Sequence, residues 1–219
     1  LRSEPKPPLH LAHTQVPKAI VPKAPLANAL DGTLEDFQIQ EQQTNPEHWE
    51  QSLILALAYR LDAKCIFEFG PLATSRSAKL APELGDEAST IVTNQSKSGE
   101  MASSRLHLAA ILKPEAIARA EVIRHVDALH GPDARLAYAM YINECDLVIV
   151  EATHDYEYVR CDSLTALQLA KPGGVILWTD YGVAAGVTRC LNELYQTLPC
   201  LRTLRHISGT SLCIWRRGD

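Results

Sequence analysis

From Thr44 onward the chain alternates between short apolar runs and longer stretches whose apolar residues recur every three or four positions. The second pattern predicts amphipathic helices, and the first predicts strands covered on both faces. Thr44-Asn45-Pro46-Glu47 is a helix start: a capping side chain, then a proline and an acid in the first turn. Leu53, Leu55, Ala56, Ala58 and Leu61 carry that helix to about Asp62. Cys65 to Phe69 then reads as a buried strand ending at Gly70.

The alternation continues to the end of the chain. Further strands are predicted at Thr90–Thr93, Val122–Val126, Asp146–Glu151 and Val175–Trp178. Helices are predicted at Met101–Ala120, divided near Pro114, and at Ala134–Ile142, Tyr156–Ala170 and Ala184–Thr197. Lys171-Pro172-Gly173-Gly174 reads as the turn closing the third of these. Thr203–Ile207 and Ser211–Arg216 flank Ser208-Gly209-Thr210 as a hairpin. Strands alternating with helices give an α/β fold: a parallel sheet with helices on both faces. The closing hairpin adds an antiparallel strand at one edge.

Residues 1–44 follow another pattern. Six of the thirteen prolines fall within the first twenty-five residues, and Val16-Pro17-Lys18-Ala19 is echoed by Val21-Pro22-Lys23-Ala24. Proline fixes φ and removes a donor, so an extended arm or linker is predicted here, ahead of one domain over 45–217. Its apolar residues Leu9, Ile20, Val21 and Leu26 are expected to contact another protein chain.

Composition narrows the function classes. Of 219 residues 46% are hydrophobic and 21% charged, enough apolar material for a real core. The net charge of -5 argues against a general nucleic-acid binder. No apolar run is long enough to cross a bilayer as a helix. Six cysteines without a C-x-x-C pair argue against a zinc site. Buried free thiols suit a reducing intracellular compartment, the cytoplasm or an organelle matrix.

Ligands of open α/β sheets bind beyond the carboxyl ends of the strands. In chain order those ends carry Glu68-Phe69-Gly70, Asn94-Gln95, Asp127, Glu151-Ala152-Thr153-His154 and Thr179-Asp180-Tyr181. No G-x-S-x-G elbow supports a hydrolase triad, and Gly70 lacks the G-x-G-x-x-G continuation of a nicotinamide site.

These residues resemble those of class I S-adenosylmethionine (SAM)-dependent methyltransferases of the methyltransferase-24 type. Ile66-Phe67-Glu68-Phe69-Gly70 is similar to the family's first motif. The run from Asp146 to Tyr158 is similar to its D-L-V-F-I-D-G-x-H-x-Y-E-Y stretch, and Lys171-Pro172-Gly173-Gly174-Val175-Ile176 with Asp180-Tyr181 to its K-P-G-G-V-I…D-Y. Gly186-Val187-Thr188 and Gly209-Thr210-Ser211-Leu212 match later turns, so the resemblance runs from about Asn45 to Arg217. It implies a Rossmann-like sheet of seven strands with strand seven antiparallel. It also implies SAM held by Glu68, Gly70, Gln95 and Asp127. Glu151 and Asp180 stand where metal-using members hold a divalent ion, and hard oxygen ligands suit Mg²⁺. His154 stands where a general base would act, since imidazole titrates near neutrality, with Asp180 beside it as a catalytic acid.

The chain departs from the family pattern at three places. Thr74 replaces the second glycine of the first loop, Gln95 replaces the acid that grips the ribose, and Glu151-Ala152 replaces Asp-Gly. Loss of three cofactor contacts with retention of core motifs leads to one expectation: a degenerate methyltransferase fold acting as a structural or interaction subunit. The alternative is an active SAM-dependent O- or N-methyltransferase on a small molecule, with Mg²⁺ as an optional aid.

Overall fold

The computed structural model describes residues 15–25, 46–70, 76, 89–94, 120–124, 138–151 and 154–218. Eight strands form one sheet: β1 (Lys23–Ala24), β2 (Cys65–Phe69), β3 (Ser89–Asn94), β4 (Ala120–Arg124), β5 (Cys145–Val150), β6 (Ala170–Trp178), β7 (Arg205–Ile207) and β8 (Cys213–Arg216). Their spatial order is β1-β7-β8-β6-β5-β2-β3-β4. The described helices are α1 (Pro46–Arg60), α2 (Tyr156–Leu169) and α3 (Ala185–Thr197). Short 3₁₀ turns lie at Ala139–Tyr141 and Pro199–Thr203.

Apolar alternation assigns each central strand to two cores. Phe67 and Phe69 of β2, Val148 and Val150 of β5, and Ile176 and Trp178 of β6 face α2 and α3. Ile66, Leu147, Ile149, Val175 and Leu177 face the other way, onto Leu53, Ile54, Leu57 and Ala58 of α1. Burial on both faces explains the nearly continuous apolar runs of these strands, broken by the buried acids Glu68 in β2 and Asp146 in β5. β2 pairs in parallel with β5, Phe67 opposite Val148, so the first predicted strand lies directly beside the fourth.

Three expectations change. The sheet has eight strands among the described residues rather than seven, because part of the Pro-rich segment joins it. β1 pairs in parallel with β7, Lys23 opposite His206 and Ala24 opposite Ile207. Val21, expected against another chain, is 4% exposed in this chain's own core, whereas Ile20 is 39% exposed. Leu9 and Leu26 lie outside the described residues. Second, the antiparallel strand is not at an edge: β8 lies between β6 and β7 and runs against both. The short connection over residues 208–212 folds β8 back between β7 and β6, and β1 covers the outer side of β7. Third, the Lys171–Gly174 segment does not end a helix. It opens β6, with Gly173 at φ 75 and a register shift opposite Cys145 and Leu147. Of the expected helix at 101–120, residues 101–119 lie outside the described residues, and Ala120 opens β4 instead. Of that at 134–142, the 3₁₀ turn at Ala139–Tyr141 is what is described.

Candidate functional site

The carboxyl ends of β2, β5 and β6 converge, and each delivers an acid. Glu68 is fully buried near the end of β2, and its Oε1 accepts the backbone N–H of Arg76 at 2.9 Å. Gly70 follows. A Cβ there would meet the Glu151 carbonyl oxygen at 3.1 Å and Glu68 Oε1 at 3.4 Å, so a side chain would fill the gap between the β2 and β5 ends.

Glu151, just beyond β5, forms a close ion pair with Nε of Arg76. Nη2 of Arg76 lies 3.6 Å from Glu50 Oε2 on α1. Glu50 Oε1 in turn accepts the backbone N–H and the hydroxyl of Ser211, at 2.7 and 2.8 Å. The side chains of Arg76, Glu50 and Glu151 are 12%, 9% and 17% exposed, so the three charges sit largely out of water. Burial works against the Arg76 cation, but Glu151, Glu50 and Asp180 outweigh it and raise its pKa. Burial is also the largest influence on Glu151 and lifts its carboxyl to about 7; Arg76 opposes the rise, while Glu68 and Asp180 add to it.

Asp180 follows β6 with φ 60, a left-handed conformation uncommon for a residue with a side chain. Backbone held this way costs energy and aims the side chain where an extended strand would not. Its N–H donates to Ser211 Oγ at 3.3 Å, and the Thr179 hydroxyl donates to its Oδ2 at 3.1 Å. The same Oδ2 lies 3.2 Å from Nε2 of His154. The His154 side chain is 61% exposed, so one nitrogen is tied to Asp180 while the ring stays open to an incoming molecule. The close approach of α3 fixes this loop. A Cβ on Gly186 would lie 2.0 Å from the His154 carbonyl oxygen and 2.7 Å from the Tyr156 nitrogen, so only glycine fits.

Of the residues singled out from sequence, Glu68, Gly70, Glu151, His154 and Asp180 therefore gather at one end of the sheet. Gln95, Asp127 and Thr74 lie outside the described residues. Two members of the cluster, Arg76 and Glu50, were not anticipated. Glu50 did leave a signal: it stands three and four positions before Leu53 and Ile54, on the face of α1 that packs on the sheet. Arg76 left none.

The donor set does not fit a divalent ion. Glu151 already has a guanidinium partner, and His154 holds Asp180. Among the described residues no group of three His, Cys, Asp or Glu is placed to ligate a metal. For SAM, the residues present at the end of β2 are the acid Glu68 and the side-chain-free Gly70, the groups that the family resemblance assigns to it.

Comparison with known proteins agrees with this geometry. Residues 69–181, just over half of the chain, match the methyltransferase domain family of the methyltransferase-24 type. The chain belongs to that family. Solved methyltransferases share its fold. The O-methyltransferase of Bacillus cereus in complex with S-adenosylhomocysteine (SAH) is 16% identical, with TM-score 0.55 over 85% of this chain and 89% of that one. The O-methyltransferase TomG of Streptomyces achromogenes, involved in tomaymycin synthesis and in complex with SAM, is 17% identical, with TM-score 0.54 over 91% and 92%. A calicheamicin methyltransferase is 14% identical, with TM-score 0.59 over 85% and 83%. No curated protein matches the chain. Nothing in this family membership or fold supports the expectation of a degenerate subunit, and the family membership favours the enzymatic alternative. Among the described residues no helix is long and apolar enough to cross a membrane.

Proposed function

We propose that this protein is a SAM-dependent methyltransferase acting on a hydroxyl of a small molecule, with His154 as general base and without a metal ion. The observation that carries the reading is the 3.2 Å contact between His154 and Asp180 on an open ring at the carboxyl ends of the strands. The O-methyltransferase relatives of the fold support a hydroxyl acceptor.

When bound, SAM supplies a methyl group on a sulfonium that a nucleophilic oxygen can attack. Asp180 holds one nitrogen of His154 and stabilises the imidazolium that forms when the other takes the acceptor's proton. Glu68 and Gly70 flank the place expected for the cofactor, and Glu68 holds the backbone of Arg76 by accepting its N–H. Arg76 neutralises Glu151 in the place where metal-using relatives need a cation.

Formation of SAH from SAM, measured with a panel of small phenols and alcohols, tests this. Turnover is expected to survive chelation by EDTA. It is expected to fall about 10²- to 10⁴-fold in His154→Ala, as loss of a general base predicts. Turnover that appears only on adding Mg²⁺ would overturn the metal-free reading. An unchanged rate in His154→Ala would overturn the assignment of the base.

A further inference from the structure

Cys65 and Cys145 stand at the opposite ends of β2 and β5 from the acids, with their sulfurs 3.7 Å apart. We propose that this pair is a redox-active dithiol, a modification site that a hydroperoxide oxidises to an intramolecular disulfide.

The pairing is built by an irregularity in the backbone. Val148 and Val150 face α2 and α3, and Leu147 and Ile149 face α1. Strict alternation would turn Cys145 toward α1, away from Cys65, which packs with Phe67 on the other face. Cys145 instead joins the core on the side of Phe67. The register with β6 shifts at this point, between Cys145 and Leu147. Bulges of this kind re-aim side chains and recur at functional positions. Gly174 is pressed into the same place: a Cβ on it would meet the Cys145 carbonyl oxygen at 2.7 Å.

The two thiols divide the work. Cys65 is half-buried and open to a small oxidant, whereas Cys145 is fully buried. The Cys145 thiol against it is the main influence lowering the Cys65 pKa; burial, Asp146 and Glu144 oppose, and Lys171 assists. Asp146 is itself engaged, by the backbone N–H groups of Lys64 and Cys65 at 2.9 Å and by Lys171. Cys65 is thus the attacking sulfur and Cys145 the resolving one.

The Cys65 thiolate attacks one peroxide oxygen and the O–O bond breaks. That oxygen stays on sulfur as a sulfenic acid, and the other leaves as water or an alcohol. The sulfur of Cys145 then attacks that of Cys65. The S–O bond breaks, and the departing hydroxide takes the Cys145 proton to leave as water. Two electrons pass from the thiols to the peroxide. The sulfurs must close from 3.7 Å to about 2.05 Å as the bond forms.

The test treats the folded full chain with equimolar hydrogen peroxide, blocks free thiols under denaturing conditions and maps peptides without reduction. The expected product is a Cys65–Cys145 cross-linked peptide, lighter by two hydrogens and lost on treatment with dithiothreitol. In Cys145→Ser, Cys65 is expected to accumulate as a sulfenic acid that dimedone traps several-fold more than in the parent. Oxidation confined to exposed Cys200 would overturn the proposal. So would Cys65 oxidised beyond sulfenic acid with Cys145 recovered free. Mapping the parent chain decides the matter even if the serine variant does not fold.

Discussion

Arg76 is the residue on which the acids at the strand ends depend. Without it Glu151 and Glu50 remain buried, and stranding a buried charge costs about 3–5 kcal/mol. Arg76→Ala should therefore lower stability by about 3 kcal/mol at pH 8, read from denaturant midpoints. The loss should be smaller at pH 5, where Glu151 is protonated. The sign for Glu151 itself follows from its raised pKa. The folded protein holds a proton that the unfolded chain has released between the ordinary carboxylate range and about 7. This group's contribution is complete at low pH and is lost as pH rises through about 7. Glu151→Gln should flatten that part of the stability-pH profile, and an unchanged profile would refute a raised Glu151. At this scale sequence reading was uneven. Glu68, Glu151, His154 and Asp180 were legible because each lies at, or within a few residues of, the carboxyl end of an apolar strand. Arg76 was not, because its partners lie 26 and 75 positions away along the chain and nothing local marks them.

At the scale of elements, two contacts set where chain segments sit. The Tyr181 hydroxyl accepts the N–H groups of Ile20 and Val21, each at 2.9 Å, and donates to Asn192 at 2.6 Å. It ties the segment leading into β1 to the residue after Asp180. Tyr181→Phe removes the acceptor of a buried N–H, which costs about 1–3 kcal/mol. Amide hydrogen exchange at residues 20–24 should speed up accordingly; unchanged exchange would show that β7 pairing alone holds the segment. Gly186→Ala should cost about 1–3 kcal/mol in thermal or chemical unfolding, because α3 must back away from the His154 loop. A variant as stable as the parent would deny that close approach. The periodicity placed α2 and α3 nearly residue for residue, since each has an apolar face, whereas α1 was legible from its start signal at Thr44–Glu47 and the unbroken apolar run at 53–58. It could not place β1, whose two paired residues carry no alternation and whose prolines argued for an arm outside the sheet. The Cys145 irregularity was hidden for a similar reason: bulges leave the apolar run intact.

Across the whole molecule, β2, β5 and β6 were legible as strands because apolar residues cover both faces, whereas their order was implied by the resemblance to the methyltransferase fold and not by the pattern itself. What the pattern could not weigh was the effect of Thr74 and Gln95. A single changed contact alters affinity by about 1–3 kcal/mol, whereas micromolar and millimolar sites differ by about 4 kcal/mol. Glu68, Gly70 and the convergence of the β2 and β5 ends survive, and they argue that binding survives with them. Calorimetric titration of the full chain with SAM, repeated with SAH, tests this most directly. The account predicts one site per chain with a dissociation constant in the micromolar range for both. Absence of heat, or binding weaker than about 1 mM, would contradict it and restore the reading of a fold kept for assembly alone.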